Sequence, residues 1–343
     1  MAPEIPEIPE IPEIPEIPEL PVLAEHRVEA PRRRPLCLAL AQLAGPWLDL
    51  RARFDRLVAA ARLARDRGAD VVAFPETYLA GYPFWLPRTG GAAFEDPDQK
   101  ACYAYYLQSA LEIGGPYHRD LETLAGDLGL TLVVGVSERV GGTVFCTLLT
   151  VRPGAGTVVH HRKLVPTYDE RLVWAHGDGA GLRVTRVEGV GVGALNCWEN
   201  WMPQARSALH AQGEEVHVGV WPGSSRLTSD VTRFAAVEGR MFAAAASGLY
   251  RVEDVPDDFP LAAALRDAGD PGFDGGSAVA RPDGSWLVEP QAGREGLVVA
   301  ELDPDEVAAA RLTFDPAGHY ARPDVFHTTV DRRRRTTTGF VDG

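Results

Sequence analysis

From Leu36 onward, short apolar runs alternate with stretches in which apolar residues recur every three or four positions. LCLALAQL (36–43) is nearly continuous and suits a buried strand. DLRARFDRLVAAARLARDRGA (49–69) sets Leu50, Phe54, Leu57, Val58, Ala61 and Leu63 on one helical face, with Gly68 placed to end the helix. DVVAFPE (70–76) reads as a strand ending on a carboxylate, residues 117–130 as a helix and TLVVGVSERV (131–140) as a strand. VFCTLLTVRP (144–153) and TVVHHRKL (157–164) flank a glycine-containing turn, the pattern of a hairpin. GVGALNC (191–197) is a strand ending at a cysteine, PQARSALHAQG (203–213) a helix and EVHVGVWPG (215–223) a strand. DVTRFAAVEGRMFAAAASG (230–248) reads as one long helix, and residues 275–290 and 295–303 as further strands. The pattern predicts an α/β fold with helices on both faces of sheets.

Two ends depart from this rhythm. Residues 3–20 repeat Pro-Glu-Ile and close with Pro-Glu-Leu. Proline at every third position removes backbone donors and fixes φ, which predicts an extended, disordered tail. It serves as a spacer or docking arm, or is dispensable. Residues 1–34, ending in Arg32 to Arg34, are assigned to this tail and its lead-in, and 35–325 to the globular domain. Residues 326–343, with four consecutive arginines at 332–335, read as a polar, mobile tail.

Composition narrows the function classes. The chain has 343 residues, 45% hydrophobic and 24% charged, with a formal charge of −14. An acidic chain lacks the basic surface that nucleic acid requires. No apolar run approaches the ~18 residues that span a bilayer, and the N-terminus lacks the basic-then-apolar order of a signal peptide. The expectation is a soluble, cytoplasmic protein bound to neither nucleic acid nor membrane. The four cysteines, Cys37, Cys102, Cys146 and Cys197, include no CxxC pair. His160 and His161 are adjacent in a strand and should point to opposite faces. No HExxH occurs, so no metal is expected. The glycines of GVGVGA (189–194) precede a strand instead of opening a helix, which makes a turn and not a dinucleotide loop. The absence of GxSxG removes the serine-hydrolase elbow.

Three ionisable residues remain at or just beyond strand ends: Glu76, Lys163 and Cys197. Ligand sites in α/β proteins gather there. Singly, a strand-end cysteine is more often a small core residue, and a strand-end glutamate or lysine a solvated one. Together they form a coherent set. A carboxylate can take a thiol's proton, and an ammonium can stabilise the thiolate and a developing anion. Of the four cysteines, only Cys197 is expected to share a neighbourhood with the base and the ammonium.

The segments FPETYLAGYP, HRKLVPTYDERLVWAHGDG and LNCWENWMP, in this order, resemble the three motifs of the nitrilase superfamily of carbon–nitrogen hydrolases. VEGRMF, GGSAVARPDG and GHYARPDVF resemble later segments of that family, and the likeness spans roughly Leu36 to Asp324. The resemblance implies a four-layer α-β-β-α sandwich and self-association into dimers or larger spirals. It implies Glu76 as general base, Lys163 as stabilising cation, Glu170 as its partner and Cys197 as nucleophile, with no metal or organic cofactor. Cys-Trp-Glu followed by a nearby proline is similar to the nitrilase branch, although Ala175 and His176 stand where a glycine-containing pair is commoner. The implied reaction takes an organic nitrile to a carboxylic acid and ammonia through a thioimidate and a thioester. An amidase, a cyanide-hydrolysing enzyme and a catalytically silent assembly protein are the alternatives. Tyr78, Tyr82, Phe84, Trp85, Trp174 and Trp198 are the expected pocket residues, with the Trp198 N–H helping to hold the anion. Glu199 is expected to be a structural partner at the start of the following helix, where a carboxylate is favourable against the dipole.

Overall fold

The computed structural model describes residues 20–336 and 338, so the repeat at 3–19 and the tail conformation expected for it lie outside the described residues. The elements in chain order are β1 (Val22–His26), β2 (Leu36–Gln42), α1 (Leu50–Asp66), β3 (Val71–Ala73), α2 (Pro97–Ser109), α3 (Pro116–Leu128), β4 (Thr131–Val140), β5 (Thr143–Arg152), β6 (Gly156–Arg162), β7 (Thr185–Val187) and β8 (Val190–Asn196). They continue with α4 (Pro203–His210), β9 (Val216–Trp221), α5 (Ser225–Gly239), β10 (Phe242–Ser247), α6 (Ala262–Asp267), β11 (Gly275–Ala280), β12 (Trp286–Ala292), β13 (Gly296–Leu302) and α7 (Pro304–Ala310). One sheet has the order β1-β13-β2-β3-β4-β5-β6, and the other β12-β11-β10-β9-β8-β7.

The nearly continuous apolar run of β2 follows from its place between two layers. Leu36, Leu38 and Leu40 join Val218, Val220 and Ala244 of the other sheet in one cluster. Cys37, Ala39 and Ala41 face the other way, toward Phe54, Leu57 and Ala61 of α1 and Leu121 of α3. A strand with helices on one face and a second sheet on the other has no polar face to show, so the alternation disappears. On the far side, α5 covers the second sheet through Ala235 and Ala236 against Ala243 and Ala280, and α4 packs Ala205 and Leu209 on Leu195. The layering is the expected α-β-β-α sandwich.

Local signals explain the element ends. Asp49 caps α1 by accepting the Ala52 N–H at 2.9 Å, and Gly129, at φ 59°, closes α3 in the left-handed region. The pattern reading passed over α2, although Asp96 caps it by accepting from the Gln99 N–H and Pro97 opens it.

Three expectations are corrected. The long helix at 230–248 is a helix followed by a strand. Arg240 adopts φ 48°, α5 stops, and residues 242–247 run parallel to β9 and antiparallel to β11. Alanine favours helix locally, but a strand buried on both faces also takes small residues, and sheet pairing decides. The domain also begins before Pro35. β1 pairs in parallel with β13, and Arg27 bridges it to Glu301 at 2.9 Å. The C-terminal segment, expected to be mobile, lies against the body at residues 330–335. Arg334 pairs with Asp178 at 3.2 Å, the Arg335 N–H donates to Asp178 at 3.0 Å, and the main chain passes so close that a Cβ at Gly179 would lie 2.3 Å from the Asp331 carbonyl. Of the four arginines in this segment, Arg334 has a buried carboxylate to pair with.

Candidate active site

Four side chains from four parts of the chain converge between the sheets. Glu76 follows β3, where the Phe74 N–H still bonds to the Val133 carbonyl and holds the loop on β4. Gly135 of β4 lets that loop approach, since a Cβ there would lie 2.1 Å from the Pro75 carbonyl and 2.8 Å from the Glu76 Cα. Lys163 follows β6, and its N–H donates to the Cys146 carbonyl at 2.8 Å. Glu170 sits in a 3₁₀ turn, Tyr168–Leu172, where its Oε2 accepts the Thr167 N–H at 2.6 Å and completes a capping box. Cys197 opens the 3₁₀ turn Cys197–Trp201 after β8, with φ 46°. A non-glycine residue held in that region stores strain, a recurrent property of functional positions.

All four are buried. Lys163 Nζ donates to Glu76 Oε1 at 2.8 Å and to Glu170 Oε2 at 2.7 Å. One carboxylate oxygen each of Glu76 and Glu170 and the sulfur of Cys197 lie within 4.8 Å of one another. Such a carboxylate and thiolate set could hold a cation, but the Lys163 ammonium already stands between the two carboxylates. Burial, then the charge of Glu170, pushes the Glu76 carboxyl up to about 7, against the opposing pull of Lys163. Burial works to discharge Lys163, but the two carboxylates outweigh it and hold the ammonium well above its usual range. Burial, then the Glu76 charge, raises the Cys197 thiol, while Lys163 and the Trp198 N–H act the other way. The resting arrangement is a neutral thiol beside a carboxyl that ionises near neutrality, suited to proton transfer.

A family model for carbon–nitrogen hydrolases matches residues 37–312.

The chain belongs to the carbon–nitrogen hydrolase family.

Among its relatives are an aliphatic nitrilase of Sinorhizobium fredii (strain HH103), 33% identical over 87% of this chain and 96% of that one, and Nitrilase 2 of Arabidopsis thaliana, 35% identical over 81% and 83%. An arylacetonitrilase of Trametes versicolor (strain FP-101664) is 35% identical over 79% of this chain and 89% of its own. The fold is shared with an amidase of the nitrilase superfamily from Nesterenkonia AN1, at TM-score 0.60 and 20% identity over 83% of this chain and 98% of that one. It is also shared with a CN-hydrolase superfamily protein from Xanthomonas campestris, at TM-score 0.62 and 20% identity over 83% and 96%.

In this carbon–nitrogen hydrolase the expected pocket residues do not all lie together. The Tyr82 hydroxyl donates to Glu170 Oε1 at 2.9 Å, and Trp174 presents its ring 5.3 Å from Lys163 Nζ. Both border the buried charges, and a cavity of about 140 Å³ reaches Tyr82 and Glu170 from the Pro83–Pro87 and Thr167–Asp169 side. A larger groove of about 780 Å³, lined by Leu48, Tyr105, Glu253 and Asp257, includes none of the four convergent residues. Trp85 packs with Trp47, Tyr106 and Phe259, and Phe84 with Trp47 and Tyr250, inside the neighbouring aromatic core. Tyr78 packs on Phe74 and lies under the Arg53 guanidinium. The Trp198 side chain is 45% exposed and stacks on Trp201.

Glu199 accepts from His161 Nε2 at 3.0 Å and from the Asn196 N–H at 3.0 Å, which locks the cysteine turn to β6. His160 points away to Glu138, as the alternation of a strand requires. Sequence reasoning missed Cys146. It too is buried, with Sγ 3.4 Å from Glu76 Oε1, so Cys197 does not have Glu76 to itself. Phe273, also missed, packs edge-on against Tyr82 at 5.2 Å.

Proposed function

We infer that this chain is a nitrilase that hydrolyses an organic nitrile to a carboxylic acid and ammonia. The observation that carries the reading is the buried meeting of Glu76, Lys163, Glu170 and Cys197, in a chain whose relatives named above are nitrilases. Glu76 Oε2 is buried and has no hydrogen-bond partner among the described residues, which leaves it to take the Cys197 proton. The thiolate adds to the nitrile carbon as the nitrogen takes that proton, giving a thioimidate. Water adds with Glu76 as base, the C–N bond breaks as the nitrogen is protonated, and ammonia leaves a thioester. A second water, activated by Glu76, releases the acid and restores the thiol. Lys163 and the Trp198 N–H stabilise the charge that develops at nitrogen and oxygen, a contribution typically of ~3–4 kcal/mol per donor. Glu170 keeps Lys163 charged and in place. Tyr82 and Trp174 border the substrate, and no metal or organic cofactor takes part.

Ammonia release across nitrile, amide and cyanide panels tests the reading, with Cys197→Ala as the control. Turnover of amides but not nitriles overturns it, and so does appreciable turnover by the alanine variant. Two finer points rest on other observations. Trp198, Trp201 and Phe234 are exposed apolar surface beside the cysteine turn, with Arg206 lying over Phe234, which supports self-association through this face into dimers or larger spirals. The four buried cysteines are free thiols, which supports a reducing, cytoplasmic setting. No helix of the described residues is long and apolar enough to cross a membrane.

A further inference from the structure

Of the buried thiols that the mechanism above does not use, one lies against the convergent charges. Cys146 lies on β5 and is 1% exposed. Its Sγ is 3.4 Å from Glu76 Oε1, within reach of an S–H···O bond. Its main-chain carbonyl accepts the Lys163 N–H at 2.8 Å. One residue is therefore bonded to both the base and the start of the lysine loop. Glu76 Oε1 also accepts from Lys163 Nζ at 2.8 Å, so two donors from two different strand regions converge on one oxygen. Oε2 has no partner among the described residues. The terminal torsion of a glutamate is broad, and two donors on Oε1 remove that freedom. Burial, then the Glu76 charge, holds the Cys146 thiol well above its usual range, so the proton stays on sulfur.

We propose that Cys146 is a positioning residue: its thiol donates to Glu76 Oε1 and so presents Oε2 to the Cys197 thiol. The inference rests on Glu76 being the base of the nitrilase reaction. The other charged or titratable groups around Glu76 are Lys163 beyond β6, Glu170 in its 3₁₀ turn, Cys197 beyond β8, Tyr82 in the loop after β3 and Tyr250 beyond β10. All of these side chains are kept when Cys146 is replaced, so a pH profile that moves with alanine and returns with serine reports the lost donor.

The test compares Cys146→Ala with Cys146→Ser in the full chain, using the nitrile that the wild type turns over best. Both substitutions lose the sulfur volume, but only serine keeps a donor. Alanine should lower kcat about tenfold, with KM within about twofold, because misplacing a catalytic group slows the chemistry more than it weakens binding. It should also move the acid limb of kcat/KM up by about half a pH unit, because a carboxylate that loses a donor holds its proton more tightly. Serine should recover most of both effects. Equal behaviour of the two variants would reduce Cys146 to packing and overturn the proposal, as would an alanine variant indistinguishable from wild type. If Cys146→Ala does not fold, Cys146→Thr against Cys146→Val gives the same contrast at matched shape. Glu76→Gln is measured alongside. If it is inactive, the base stands and any failure belongs to Cys146 alone; if it is active, base and positioning role fall together.

Discussion

Replacing Lys163 with methionine removes one charge from a buried triad, and the structure sets what that costs. From the sequence, Lys163 faces a cavity and its loss leaves folding intact. In the structure its ammonium lies 2.8 Å from one buried carboxylate and 2.7 Å from another. At an effective dielectric of ~20, unit charges at that separation attract by ~6 kcal/mol. Breaking a buried pair costs a net ~3–5 kcal/mol, because the orphaned charge can take up a proton instead of staying ionised. Here two carboxylates are orphaned together, so Lys163→Met should lose at least that much stability at pH 8. With the ammonium gone, the Glu76 carboxyl, already held up by burial, loses the charge that opposed the rise and moves further above its unfolded value. The folded variant then binds more protons than the unfolded chain, and its stability falls as pH rises from about 5. The deficit against wild type should be smaller at pH 5.5 than at pH 8. Adding Glu170→Gln removes one of the facing charges and should recover part of the stability but none of the turnover, which Lys163→Met should lower by at least ~10²–10³. Urea unfolding followed by circular dichroism at both pH values, together with nitrile turnover per folded molecule, checks each part. A Lys163→Met protein as stable as wild type at pH 8 would refute the electrostatic argument, and one within tenfold of wild-type rate would remove lysine from the chemistry.

Four further outcomes are expected. With the Glu76 carboxyl raised to about 7, kcat/KM should fall about tenfold per pH unit below neutrality, since the base must be ionised; a flat profile down to pH 5 would remove Glu76 as base. The same raised carboxyl binds a proton in the folded state that the unfolded chain releases between about 4.5 and 7, so its contribution to stability is lost as pH rises through that window. Gly135→Ala would place a methyl 2.1 Å from the Pro75 carbonyl, and kcat should drop by ~10²-fold as the base shifts; wild-type kinetics would show that the loop yields without harm. Removing residues 2–19 should leave unfolding unchanged, because a proline at every third position interrupts any sheet ladder. Removing residues 2–34 strips β1 from β13 together with the Arg27–Glu301 pair and should lower the urea midpoint clearly; equal midpoints for the two truncations would show that β1 adds nothing.

The parts of this molecule legible in the sequence are those whose signal is local. The continuous apolar run at 36–43, the helical face of α1 and the residues that stand next to strand ends could all be read along the chain, and the ordered motifs around Glu76, Lys163 and Cys197 named the chemistry. What the sequence left open depends on pairing between distant segments. The alanines at 243–246 read as helix until β9 and β11 flank them, and Val22–His26 has no strand signal strong enough to stand out before β13 pairs with it. Cys146 sits in an apolar strand like any small core residue, and nothing in VFCTLL says which face it takes. Only the packing of β5 beside β4 and the Glu76 loop brings its sulfur to the Glu76 carboxylate. In the same way, Trp85, just past the first motif segment, and Trp174, within the second, are both tryptophans. Tertiary packing sends Trp85 to the aromatic core and Trp174 to the lysine, because a side chain's neighbours are set by where its backbone crosses the others, which residue order alone does not specify.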